Sequence, residues 1–267
     1  MHSLPGLRRY ADLYGHFLRQ QFKTMLEYRV SFVIGAGATV LQQAASLLTI
    51  WVVMRQVPSM QGWTLQPILL IYGLMSLSRS LNQLFTDTTF NLGGFIRSGA
   101  FDRFLVRPIN PLFHLFATFV NVNGVGNLVV GFALVVSAGS ALGVFHSAFN
   151  VAYAVVAVLS GALIFTSINL ITAVSAFWIV ENFAVTAVVF ENHRFAYYPL
   201  TIYPRAFAFA LTWVIPYGFA SYYPASFLLG RDVGAMAWLG PVIAVTLTFI
   251  GYRLWLFGLS RYTSTGS

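Results

Sequence analysis

Long apolar runs, interrupted by Gly, Pro and a few charges, organise this chain from about residue 30 to residue 258. A helix needs about 20 predominantly apolar residues to cross roughly 30 Å of hydrocarbon. Runs of that kind cover about 30–54, 112–136, 149–177, 206–228 and 238–258. A weaker one, 66–86, starts apolar as PILLIYGLMSL and turns amphipathic at SRSLNQLFTDTTF. The pattern predicts an all-α polytopic membrane protein with six transmembrane helices. Ahead of them, Leu7, Tyr10, Leu13, Tyr14, Phe17, Leu18, Phe22, Met25 and Leu26 recur at steps of three and four. Arg8, Arg9, Asp12, His16, Arg19, Lys23 and Glu27 take the other face. A basic face opposite an aromatic and leucine face predicts a helix over 7–27 lying in the bilayer interface.

The stretch after residue 177, FWIVENFAVTAVVFENHRFAYYPLTIYPRAF, is apolar yet holds Glu181, Glu191, His193 and Arg194. It reads as the fourth helix running out into an interfacial segment, which Pro199 and Pro204 break before the fifth span. Tyr197, Tyr198 and Tyr203 suit the headgroup zone.

Composition agrees with the periodicity. The chain is 58% hydrophobic and only 8% charged, with a mean hydropathy of +0.74. A water-soluble domain carries roughly 25% charged residues, so 8% cannot cover a water-facing surface. The net charge of +8 and pI near 10.0 admit nucleic acid as a partner. Basic loops of a membrane protein account for them equally well, and nucleic acid is not expected. With both termini in the cytoplasm, thirteen basic residues fall on or toward that side and only Arg55 and Arg231 lie outside. Splitting 149–190 into two spans lowers the bias to ten against five, so six spans are preferred. The absence of cysteine removes disulfides, iron–sulfur ligation and thiol catalysis.

The sequence offers no catalytic constellation. Lys23 has no Gly-rich approach, and GAGATV and GVGNLV lie in spans without a third Gly. The five histidines lack metal-ligand spacing, and no mid-span carboxylate of the kind used by proton-coupled carriers occurs. An enzyme is not expected. Four polar residues inside spans carry more information. Asn123 and Asn127 sit one turn apart, either as interhelical glue or lining a path. Arg79, with Gln83 one turn on, must snorkel, pair, or face a wet cavity or a second subunit.

Charge is concentrated in IRSGAFDRFLVRPINPLFHL, residues 96–115, where Arg97, Asp102, Arg103 and Arg107 fall within eleven positions. Gly93 and Gly94 should end the second helix, Gly99 frees the chain again, and Arg107-Pro108 ends whatever follows. Between them GAFDRFLV has room for two helical turns, too few to persist alone in water. This short helix must dock on the bilayer surface or on another protein.

With the span layout, GAFDRFLVRPINPLF and YPLTIYP…LTWVIPYGFASYYPASFLLG resemble the permease subunits of type 2 ABC exporters over essentially the whole chain, in a bacterial branch of mostly unassigned substrate. The resemblance implies one permease domain over 1–267, with an elbow helix at 5–27, six spans and short re-entrant helices on the outer side. It implies a coupling helix at about 97–107, where Arg97, Phe101, Asp102, Arg103, Phe104 and Arg107 meet a separate ATPase. Phe101 and Phe104 are expected in an apolar groove of that partner, with the charges around its rim. Pro216, Pro224 and Gly230 would bracket the outer gate, with PASFLL as a half-helix bearing Pro in its first turn. The segment 178–205 is longer than the connection many such permeases use. The implied assembly is two ATP-binding subunits, which carry ATP and Mg, and a second permease, identical or related. This chain would hold no cofactor. The implied setting is the bacterial inner membrane, with both termini cytoplasmic. An ATP-independent secondary carrier or a structural membrane protein is the rival reading. The substrate is left open. An aromatic-rich lining suits amphipathic cargo, by analogy alone.

Overall fold

The computed structural model describes residues 7–121, 123–179 and 182–263. Pro5 and Gly6 of the expected elbow, the side chains of Leu7, Arg8, Arg9 and Phe22, and Glu181 lie outside that description. The described chain is helical without named strands: α1 (Leu7–Glu27), α2 (Arg29–Gln56), α3 (Leu65–Thr86), α4 (Leu92–Arg97), α5 (Asp102–Leu105), α6 (Pro111–Thr118), α7 (Asn123–Ala141), α8 (Ala148–Ala173), α9 (Phe183–Glu191), α10 (Arg205–Phe209), α11 (Tyr222–Leu228) and α12 (Met236–Ser260). Among the described residues, four stretches are long and apolar enough to cross a membrane: α2, α7, α8 with its following 3-10 turn to Phe177, and α12. With α3 they form an upright bundle whose main contacts run α3 on α7, α8 on α12 and α3 on α8.

Small residues allow the closest approach. A Cβ added at Gly131 of α7 would lie 2.9 Å from the Leu77 backbone nitrogen of α3. One added at Gly73 of α3 would lie 2.8 Å from a Val135 methyl of α7. In lipid, helices gain little from the hydrophobic effect against each other, so contact through small residues is what holds them. Buried hydroxyls and amides add links: Asn169 Nδ2 donates to Asn82 Oδ1 at 3.2 Å between α8 and α3, and Ser167 and Thr248 bond at 2.9 Å between α8 and α12.

One end of the bundle carries a second layer. Leu92, Ile96, Phe101, Phe104, Leu112, Leu115, Trp255 and the α8 terminus pack there into one apolar cluster. The expected third span, 112–136, is corrected: α6 belongs to this layer, and the crossing helix is α7, at 123–141. Local chemistry sets the break. Asn110 Oδ1 accepts from the Leu112 and Phe113 amides with Pro111 in the first turn, so α6 begins there. Phe119 is extended (φ −146°, ψ 135°), and Asn121 Oδ1 accepts the Asn123 amide as α7 begins. α1 lies against α6, with the Tyr10 and Phe113 rings 4.9 Å apart and Gln21 Nε2 donating to the Thr118 carbonyl at 2.6 Å. Gly93 and Gly94 do not end the second helix as expected. α3 stops at Thr86, a 3-10 turn follows over Asp87–Asn91, and both glycines lie within α4. The two turns expected from GAFDRFLV reduce to the single turn α5.

The stretch 178–205 is the second correction. It is no interfacial extension, because its part from Phe183 to Ile202 runs the height of the bundle. Phe183 meets Phe90 beside the layered end, and Phe190 meets Phe165 midway. Tyr197 meets Tyr72 further on, and Thr201 accepts from Trp63 Nε1 at the opposite end. Buried Thr186, Phe190, His193, Ala196 and Tyr197 mark its inner face. The expected fifth span, 206–228, is instead a hairpin that enters from that opposite end and returns to it. Arg205–Val214 is a ten-residue apolar helix, its last turn of π type, and extends about 15 Å at 1.5 Å per residue. The chain reverses at Ile215-Pro216, where Tyr217 packs on Phe165 with ring centroids 4.7 Å apart. α11 climbs back out. Pro216 therefore sits at the deep tip rather than at the outer rim, and Pro224 lies in the first turn of α11 as expected. Gly230, at φ 69°, ends α11: its amide donates to the Phe227 carbonyl and the Arg231 amide to Ser226, both at 2.9 Å.

Candidate functional site

Two places in this fold gather the chemistry. The first is a polar cavity of about 630 Å³ between α2, α3, α7 and the segment after α9. All four residues expected at a path or interface, Arg79, Gln83, Asn123 and Asn127, line it. Asn127 links three helices through its amide, at the wall of the cavity. Gln43 Nε2 of α2 donates to Asn127 Oδ1 at 2.7 Å, and Asn127 Nδ2 donates to Gln83 Oε1 of α3 at 2.5 Å. The Tyr72 hydroxyl donates to Gln43 Oε1 at 2.5 Å.

Sequence reasoning missed Gln43, Tyr72, His193 and Tyr197. The pair Gln42-Gln43 midway through an otherwise apolar helix was the available signal, since polar side chains inside a span face protein or a wet cavity. His193 was legible only as a charge-bearing anomaly, because its partner lies 114 positions away. Its Nδ1 lies 2.6 Å from the Phe190 carbonyl, which can only accept, so Nδ1 carries the proton. Its Nε2 then accepts from Arg79 Nη1 at 2.5 Å. Both ring nitrogens are thus assigned and the imidazole is neutral. Arg79 also lies over the Phe190 ring, 5.3 Å from its centroid. At the mouth, Glu191 and Arg194 form an ion pair one turn apart.

The second place is the charged turn at the layered end. The expectation that Phe101 and Phe104 face a partner is corrected: they are 0% and 3% exposed. Phe101 packs edge-on against Phe177, Trp255 and Tyr262, and Phe104 against Phe95 and His114. The exposed side of the turn carries Arg97, Arg103, Leu105, Val106 and Arg107, with Val106 81% exposed. Asp102 accepts from the Tyr262 hydroxyl at 2.8 Å, tying the turn to the end of α12. Arg107 Nη1 donates to His114 Nε2 at 3.1 Å. Burial first, then the Arg107 and Arg103 charges, push the His114 imidazole below its usual value, in keeping with a neutral acceptor.

Of the expected gate residues, Pro216 sits at the deep tip, whereas Pro224 lies in the first turn of α11 and Gly230 just past its end. That helix is held at its outer end by Arg231, whose guanidinium lies 3.8 Å from the Trp63 ring centroid and donates to the Gly62 carbonyl at 2.7 Å.

The arrangement is a membrane bundle with an internal polar cavity, a re-entrant hairpin at one end and an anchored, charged turn at the other. Comparison with known proteins adds the family. The family described as ABC-2 family transporter protein matches over residues 40–266, more than four fifths of the chain. Neither a curated protein nor a solved structure matches. The chain therefore belongs to the ABC-2 family transporter proteins, as a multi-pass membrane permease of the kind that works with ABC ATP-binding subunits.

Proposed function

We propose that this chain is the permease subunit of an ATP-driven exporter, paired with a second permease, identical or related, above two ATP-binding subunits that carry ATP and Mg. Hydrolysis belongs to those partners. Adding α3 and the passage Phe183–Ile202 to the four long apolar stretches makes six crossings, which put both termini on one side. Arg205 now joins Arg55 and Arg231 at the far end, and Arg79 and Arg194 lie within crossings, so ten basic residues at or toward the layered end stand against three. That bias supports a cytoplasmic layered end in a bacterial inner membrane. The polar cavity opens beside α2, whose Val33, Ile34, Leu41 and Leu48 are exposed, and the second permease would close it.

The observation that carries the coupling role is the anchorage of the charged turn. Phe101 and Phe104 lock it to α8, α12 and α6, so a push on its exposed face reaches two membrane-crossing helices without an intervening flexible joint. Arg97, Arg103, Leu105, Val106 and Arg107 are then the contacts offered to the ATPase, with Phe101, Phe104 and Asp102 as the anchor.

Burying a Val or Leu side chain contributes about 1.5–3 kcal/mol, which is roughly a tenfold to hundredfold change in affinity. The double change Leu105→Asp with Val106→Asp should leave a folded, membrane-inserted permease that no longer co-purifies with its ATPase. Arg103→Ala alone should do far less, since an exposed ion pair contributes about 0–1 kcal/mol. Retention of the ATPase at wild-type levels by the double variant would show that the turn docks on lipid instead.

A further inference from the structure

Arg79 brings a permanent positive charge into the bundle. Its polar partner is a neutral imidazole and its remaining neighbour an aromatic face. Neither offsets the charge. Among the described residues it makes no ion pair: Glu191 at the cavity mouth pairs with Arg194, and Asp87, in the turn after α3, accepts from Asn121 Nδ2 at 2.6 Å and acts on Arg79 only through space, without contact. Arg79 Nε is moreover buried without a hydrogen-bond partner. A second donor in the same wall shares this condition. The Tyr197 hydroxyl is buried and unpartnered, on a side chain only 6% exposed. The amides of Gln43, Asn127 and Gln83 are engaged with one another, so they leave charge recognition to Arg79.

We propose that this cavity binds an oxyanion, a carboxylate or phosphate ester carried on an amphipathic molecule, at the uncompensated Arg79 guanidinium in its lining, and that the Arg79 Nε and the Tyr197 hydroxyl, both enclosed in the wall, are donors the ligand uncovers as it binds. Water in the cavity can hydrate the guanidinium but cannot neutralise it; an oxyanion does. A cationic cargo is repelled, and a neutral one leaves the guanidinium uncompensated. The rings of Tyr72, Tyr198 and Phe195 in the same wall suit the apolar body of such a molecule. The inference rests on the permease reading only in treating the ligand as cargo. Binding itself is read without the ATPase.

The test uses the full chain in phosphatidylcholine nanodiscs, with equilibrium binding of dodecyl phosphate and laurate set against dodecyltrimethylammonium. Saturable binding of the two anions is expected, weakened at least tenfold by Arg79→Gln, less by Arg79→Lys, and severalfold by Tyr197→Phe. If Arg79→Gln does not fold, the isosteric Tyr197→Phe and the charge-retaining Arg79→Lys decide the matter. Competition by inorganic phosphate would identify free oxyanions as a source, and suppression in phosphatidylglycerol nanodiscs would identify lipid headgroups; both keep the oxyanion site. Equal anion affinity in the wild type and these variants, or equal binding of the trimethylammonium amphiphile, overturns the proposal. The coupling variant Leu105→Asp with Val106→Asp should bind dodecyl phosphate normally, so failure of the permease reading and failure of this one are separable.

Discussion

Phe101 shows how a single side chain changes its meaning with its surroundings. It is fully buried, with the rings of Phe177, Trp255 and Tyr262 edge-on around it at 5.6, 6.0 and 5.0 Å between centroids. Truncating a large buried aromatic removes transfer energy and leaves a cavity, at a cost of about 3–5 kcal/mol. Phe101→Ala should therefore lower the thermal stability of the purified permease and its yield in the membrane fraction. Leu105→Asp with Val106→Asp should leave stability within about 0.5 kcal/mol, as changes on an exposed surface usually do. A melt in detergent separates the two, and an unchanged midpoint for Phe101→Ala would return that ring to the partner-facing role the sequence suggested. The sequence held no means of choosing. A short turn with aromatic residues on one side reads identically whether its cover is a partner or the chain's own helices.

At the scale of elements, the pairing of α3 with α7 depends on backbones approaching where side chains are absent. At Gly131 an added Cβ would meet the Leu77 nitrogen at 2.9 Å and the Ser76 Cβ at 3.0 Å, and backbone cannot move aside as a flexible side chain can. Gly131→Ala should push the helices apart and cost about 1–3 kcal/mol, the usual range for overpacking. Gly37 of α2 faces open space, and Ala there should be neutral or stabilise by up to about 1 kcal/mol through helix propensity. Thermal melts of the two variants check the contrast, and equal midpoints would mean the interface tolerates wider spacing. The same scale explains the misplaced fifth crossing. Glu191, His193 and Arg194 made 178–205 look too polar for a span, while 206–228 looked apolar enough. Hydropathy measures whether a segment tolerates lipid. It does not register that Arg79 accommodates His193, or that the hairpin's tip, from Pro216 to Ser221, is buried in protein where broken backbone hydrogen bonds are sheltered.

For the whole molecule, the proposed topology places the layered end in the cytoplasm. Cysteines introduced at Gln56 and Gly234, both exposed at the far end, should react with a membrane-impermeant maleimide added to intact cells. One at Ser98, exposed at the layered end, should react only after the membrane is opened. Outside labelling at Ser98 would invert the molecule and detach the charged turn from any cytoplasmic ATPase. The cleft between the two ends depends on helices from four parts of the chain. α2 supplies Gln43, α3 Arg79 and Gln83, α7 Asn127, and the passage after α9 His193 and Tyr197.

Class, helicity and the residues in need of explanation were all legible in the linear pattern. An apolar run has to be helical in lipid, because every backbone amide must find a partner within its own segment. An Arg or Asn inside such a run carries a desolvation cost that demands a partner wherever it lies. Arg79, Gln83, Asn123 and Asn127 stood out on that ground alone. Tertiary structure decided who the partners are: the neutral His193 beside Arg79, the three-helix amide chain around Asn127, and the internal cover over Phe101 and Phe104. It also decided which apolar segments cross and which turn back. Those choices rest on contacts between residues far apart in the chain, and a pattern read along one helix at a time contains no distance across the bundle.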